Sequence, residues 1–139
     1  MEVSEMNLAD GEYTVEVTME GGSGRASIQS PTELTIENGQ AQAEIVWSSS
    51  HYDYMMVNGD KYLPVNTEGN STFEIPVSVF DEPMTVIGDT TAMSVPHEVE
   101  YTLTFASESV ASVAEQRRKR HGGAGIAIVL RLWWQLYHP

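Results

Sequence analysis

Apolar and polar residues alternate with a period of two through most of the first 105 positions. From Glu12 to Met19 the residues Tyr13, Val15, Val17 and Met19 share one face, and charged or hydroxyl residues take the other. That pattern predicts a strand, closed off by Gly21-Gly22-Ser23-Gly24. Glu33 to Ile36 and Gln42 to Trp47 flank Asn38-Gly39, and Tyr54 to Val57 and Lys61 to Val65 flank Asn58-Gly59. An Asn-Gly pair between two β-patterned runs predicts a two-residue hairpin. Ser71 to Ile75 and Met84 to Ile87 follow, separated by the segment from Pro76 to Pro83. In the last strand, Glu98 to Phe105, the residues Val99, Tyr101, Leu103 and Phe105 are predicted to face the core. Seven or eight short strands with turn signals between them predict an all-β chain, an immunoglobulin-like antiparallel β-sandwich. No stretch of this body reads as a long amphipathic helix, and there is no internal repeat.

The pattern changes at position 106. Ala106 to Gln116 is small and polar and reads as a linker. Arg117-Arg118-Lys119-Arg120-His121 follows, then an apolar run from Gly122 to Leu130, interrupted by Arg131 and continued by Trp133, Trp134 and Tyr137. The expected organisation is a polar leader over 1–7, a sandwich over 8–106 and a linker with a basic cluster over 107–121. A separate apolar tail, a membrane-proximal or truncated membrane segment, covers 122–139. The tail has three readings: an interfacial anchor with its aromatics at the headgroups, a span cut short or out of frame after Leu130, or a soluble helix packed on the body. The first two make a membrane the partner of this end.

Charge reinforces that division. Residues 1 to 115 hold all 20 acidic residues and only Arg25 and Lys61 as basic ones, a net −18, and the other five basic residues lie between 117 and 131. An acidic body repels nucleic acid, which is excluded as a partner. The chain has no Cys, hence no disulfide and no thiolate metal site. Met1 to Leu8 has neither a basic nor an apolar signal region, so export requires a start that this chain does not carry. The expected location is the extracellular cell surface, in association with the membrane. Neither a His-Glu-x-x-His nor a Gly-x-Ser-x-Gly is present, and no glycine-rich phosphate loop opens a helix. The chain is expected to bind rather than to catalyse.

Several motifs, in order, resemble the NEAT (near-iron-transporter) domain, a haem-binding sandwich of Gram-positive cell surfaces. Leu8-Ala-Asp-Gly-Glu-Tyr-Thr-Val15 is similar to that family's opening strand, and Ser49-Ser50-His51-Tyr52-Asp53-Tyr54-Met55-Met56-Val57-Asn58-Gly59 to its Ser-Ser-Trp hairpin region. Thr72-Phe73-Glu74-Ile75 and Asp81-Glu82-Pro83-Met84-Thr85-Val86 resemble the next two strands. His97 to Phe105 resembles the closing strand, which in the family carries a Tyr-x-x-x-Tyr pair. There the first tyrosine ligates haem iron and the second supports it; here the first position is His97 and the second Tyr101. The family's haem-covering helix corresponds to Ser23-Gly-Arg-Ala-Ser-Ile-Gln-Ser-Pro31, which is shorter and has no aromatic.

The resemblance implies haem or iron capture. His97 becomes the metal ligand, Tyr101 its neighbour, and Ser27, Ile28 and Met55 the pocket lining. Read from the residues alone, His97 and Tyr101 are four apart and share a strand face, and imidazole is a good iron ligand. The other reading has His97 capping a loop after Pro96 and Tyr101 filling the core with its hydroxyl at the rim. His51, Tyr52 and Tyr54 read as an aromatic interaction loop, or as a partly buried hairpin corner. Asp53, Asp60 and Glu68 give only a weak calcium signal, and Asn70-Ser71-Thr72 fits a glycosylation sequon. The alternative function is an adhesive or spacer domain that binds protein or glycan and no cofactor.

Overall fold

The computed structural model describes residues 1–22, 24–91 and 96–116. The described residues form ten strands: β1 (Gly11–Val15), β2 (Val17–Gly21), β3 (Thr32–Glu37), β4 (Gln40–Val46), β5 (Tyr52–Val57), β6 (Asp60–Tyr62), β7 (Thr72–Val77), β8 (Met84–Thr90), β9 (His97–Phe105) and β10 (Ala111–Ser112). They make two five-stranded sheets, in the orders β10-β1-β3-β4-β7 and β2-β9-β8-β5-β6. Every pairing is antiparallel. The predicted immunoglobulin-like sandwich is thus the observed architecture.

Both Asn-Gly hairpins form. Asn38 and Gly39 have φ of 51° and 76°, and Asn58 and Gly59 have φ of 53° and 84°. Positive φ at both central residues is the type I′ turn, whose twist matches that of the strands it joins. Inward positions alternate as the pattern required, with β3 buried at Thr32, Leu34 and Ile36 and exposed between them. Leu34, Ile45, Phe73 and Ile75 from one sheet meet Val57, Val86, Leu103 and Phe105 from the other, all at most 1% exposed. Close packing of two apolar faces is the main stabilising term of such a fold.

The strand expected over Lys61 to Val65 ends at Tyr62, leaving Leu63 and Val65 exposed, and three larger differences from the sequence expectation change the architecture. The single strand predicted over 12–19 is divided at Glu16, and its halves lie in different sheets. The cause is competition for backbone bonds. Glu16 N–H donates to Ser109 Oγ at 2.8 Å, and Glu16 C=O accepts from Ala106 N–H at 3.0 Å. With both groups taken, Glu16 joins neither ladder, and the chain crosses between layers there.

The same contacts move the end of the body. Residues 107–112 are sandwich rather than linker, because Tyr13 and Thr14 pair with Ser112 and Ala111 in β10. A 3-10 turn at Ser107–Ser109 precedes that strand, and Asp81 receives both the Ser107 N–H and the Ser107 hydroxyl. Those two bonds hold the Asp81 carboxyl below its ordinary range.

The polar leader is also attached. A 3-10 turn at Val3–Met6 lays Val3, Met6 and Leu8 against the core. The Met1 ammonium donates to Phe80 C=O at 2.8 Å and pairs with Glu82 at 3.1 Å. Among the described residues no helix is long and apolar enough to cross a membrane. The basic cluster from Arg117 and the apolar run with Trp133, Trp134 and Tyr137 lie outside the described residues.

Candidate functional site

One end of the β2-β9-β8-β5-β6 sheet opens into a groove of about 870 Å³. Its back wall is β9, where His97, Val99 and Tyr101 project to one face at a spacing of two. Exposure falls along the strand: His97 is exposed at the mouth, Val99 half-buried, and Tyr101 only 4% exposed. Thr90, the ladder partner of His97, adds the adjacent wall. Gly22, Arg25 and Ala26 close a third side, and Ser48, Ser49 and Tyr52 the fourth.

The floor is a pair of phenols. Tyr52 Oη and Tyr101 Oη are 2.9 Å apart in a buried hydrogen bond. Tyr52 stacks on Trp47 with ring centroids 3.9 Å apart at 15°, and Tyr101 meets the same indole edge-on at 5.2 Å. Burial, reinforced by the bond to Tyr101, pushes the Tyr52 phenol far above its ordinary range. This aromatic layer needs two glycines. A Cβ on Gly88 would lie 3.2 Å from Trp47 and Tyr52 ring carbons. One on Gly22, at φ +65°, would lie 2.9 Å from Tyr101 Cε2. Only a residue without a side chain lets the backbone run so close to the rings.

The structure brings together some of the predicted site residues and separates others. His97 and Tyr101 line one groove, as their spacing required, and Tyr101 also fills the core with its hydroxyl at the groove floor. Met55 does not line it: it is fully buried in the sandwich, opposite Gly88. Ser27 and Ile28 do not line it either. Ser27 C=O accepts from Ser48 N–H, Gln29 N–H donates to Val46 C=O, and Ile28 bridges to Trp47. That short ladder turns 27–29 along the sheet, so the two residues before it, Arg25 and Ala26, face the groove instead. The described part of this segment holds no helix.

The aromatic interaction loop is a strand, β5, with an irregularity at its start. Tyr52 pairs with Thr90 and Tyr54 with Asp89, so Asp53 is a bulge. One extra residue reverses the faces that follow. Tyr52 therefore points into the groove and core at 6% exposure, while Tyr54 points to the outer face. There Tyr54 Oη donates to Glu98, and Lys61 Nζ lies 4.3 Å from the Tyr54 ring centroid. The Glu98 bond, with burial and nearby carboxylates, raises the Tyr54 phenol to about 12. Of the three residues expected in the interaction loop, His51 alone keeps an exposed side chain, and its C=O accepts from Thr91 N–H.

Beside Tyr54 is a residue that the pattern reading passed over. Asp89 is 2% exposed although it belongs to the outer face of β8. The neighbouring Asp53 carboxyl, then burial and the Glu98 charge, raise its carboxyl to about 6, against a smaller opposing effect of Lys61. Two carboxyls in contact share a proton more readily than both ionise. No cluster of His, Asp or Glu among the described residues is arranged to hold a metal ion, so Asp53, Asp60 and Glu68 do not form the weakly signalled calcium site. Arg25 is the other residue missed. Its signal was its rarity, as one of two basic residues before position 116.

No family model matches the chain, and no curated protein matches it. Solved structures do match. The NEAT5 domain of IsdX2, a B. anthracis hemophore in complex with heme, aligns at 14% identity with a TM-score of 0.58, over 71% of this chain and 98% of that one. A mutant of the same domain, also in complex with heme, aligns at 14% identity with a TM-score of 0.59, over 72% and 98%. The fold is therefore that of a NEAT domain.

Proposed function

We propose that this domain captures haem in the β9 groove, at the cell exterior, as a binding module and not an enzyme. One observation carries the reading. An exposed imidazole, His97, stands at the mouth of a groove of about 870 Å³, on a fold whose solved neighbours hold heme. That volume falls within the range of small-molecule sites, roughly 300–1,000 Å³.

The lining suits a porphyrin. Val99, Ala26 and the Tyr52 and Tyr101 rings offer apolar and aromatic surface. Ser48 and Ser49 supply hydroxyls, and Arg25 brings positive charge to a groove on an otherwise acidic body. His97 would hold the iron, and Arg25 would face the porphyrin carboxylates. The Trp47-Tyr52-Tyr101 layer keeps the back wall rigid, which lowers the ordering cost of binding. Haem, when bound, supplies an iron centre; the protein supplies position and one nitrogen donor.

The test is a titration of the full chain with haem, followed by Soret absorbance. A saturable Soret shift is expected. His97→Ala should remove most of it, and Tyr101→Phe should weaken it less, because that hydroxyl is engaged with Tyr52. A wild-type chain with no Soret change at micromolar haem would return the domain to the adhesive or spacer reading. Anchoring at a membrane through the 117–139 segment belongs to this proposal as its location, and flotation of the full chain with anionic vesicles would test it.

A further inference from the structure

Resting on haem capture in the β9 groove, we infer that this site holds ferrous haem about as well as ferric haem, because its phenols are tied to each other and its imidazole is the iron donor. Among the described residues, three side chains of the groove carry atoms able to ligate iron strongly: His97, Tyr52 and Tyr101. A phenol ligates iron well only after losing its proton. Tyr52 and Tyr101 bond to each other at 2.9 Å, in the interior, and are packed on Trp47. Freeing either oxygen for iron would leave its partner buried without that bond. It would also require a buried anion in a body with a net charge of −18.

His97 has none of these constraints. It is exposed, stands two places outward of Val99 on the open end of β9, and has its backbone held by pairing with Thr90. Neutral imidazole binds without becoming an anion.

The donor decides the oxidation-state preference. An anionic oxygen donor favours the harder, more highly charged ferric ion, whereas imidazole serves ferric and ferrous haem alike. By linkage, the logarithm of the ratio of the two affinities sets the displacement of the haem potential on binding. A site with a phenolate donor releases haem when it is reduced. A site with His97 as donor retains it.

The experiment uses the full chain. Ferric haem is titrated first, and the complex is then reduced anaerobically with dithionite, which supplies one electron per iron. Wild-type protein should keep its haem, with a ferrous spectrum of nitrogen ligation. The affinities of the two states should agree within about tenfold, which for a one-electron couple is a potential within about 59 mV of free haem. Tyr101→Phe should leave that ratio unchanged. His97→Tyr should bind ferric haem and lose it on reduction, with a ratio of more than about a hundredfold. Ferric binding followed by release from the wild type on reduction would overturn the inference while leaving haem capture intact. So would ferric binding that His97→Ala does not weaken. Absence of ferric binding at the outset would remove haem capture and this inference together.

Discussion

Two buried polar features, one on each face of the β2-β9-β8-β5-β6 sheet, set testable dependences on single residues. The first is the Tyr52–Tyr101 bond. Removing one hydroxyl leaves the other buried without its partner, a cost of about 1–3 kcal/mol, whereas removing both deletes donor and acceptor together. Tyr52→Phe and Tyr101→Phe should each destabilise by that amount, and the double variant by less than their sum. Denaturant unfolding of the four proteins measures the coupling; strict additivity would show that the hydroxyls do not depend on one another. The second feature is Asp89, whose carboxyl rises from 3.8 to about 6 through the neighbouring Asp53 carboxyl and its burial. A raised carboxyl holds its proton more tightly in the folded state, so its contribution is full below the unfolded value and is lost as pH rises through about 6. Tyr54, Glu98 and Lys61 face the same spot and set the size of the shift. Asp89→Asn mimics the protonated form at every pH. Its stability relative to wild type should therefore increase as pH rises through about 6, read by thermal unfolding in a pH series. A constant difference would mean that Asp89 does not titrate there.

At the scale of elements, the informative event is the change of sheet at Glu16. Val15 and Val17 are both buried, so the alternation runs unbroken across the point where β1 becomes β2. Side-chain periodicity reports which face is inward; it is blind to which layer the backbone is bonded to. The layer is decided by Ser109 Oγ, which accepts from Glu16 N–H and donates to Ala106 C=O at 2.7 Å. Ser109→Ala should cost about 1 kcal/mol and expose the Glu16 amide. Faster hydrogen exchange at Glu16, with core amides unchanged, is the expected signature. Unaltered exchange at Glu16 would assign the break to something other than this serine. The bulge at Asp53 is a second case. Without it Tyr52 and Tyr54 would share a face; with it one floors the groove and the other covers Asp89.

For the molecule as a whole, charge is the dominant surface fact. Glu44 shows the local form: burial first, then Glu33 and Glu74 on the neighbouring strands, push its carboxyl up. Like charges side by side on a sheet are destabilising, and at −13 overall the chain repels itself. Added salt should raise Tm as screening shortens the range of that repulsion. A Tm that is flat or falls between low and physiological NaCl would show the acidic surface to be energetically neutral. The sequence by itself determined the sandwich, its two Asn-Gly hairpins and the inward faces of β1, β2 and β9, because these depend on neighbours within a few residues. It also placed His97 and Tyr101 on one face, since a strand's period of two is a local property. Only the tertiary structure decided that Arg25 and Ala26, not Ser27 and Ile28, meet that face, that Met55 is core, and that Tyr52 ties up Tyr101. Only it showed that Met1 and Ser112 belong to the sandwich. Each of these rests on a bulge, a short ladder or a bond between residues far apart in the chain: Tyr52 to Tyr101, Glu16 to Ser109, Met1 to Phe80. Such contacts leave no periodic trace, because their partners are chosen by the packed fold and not by spacing along the chain.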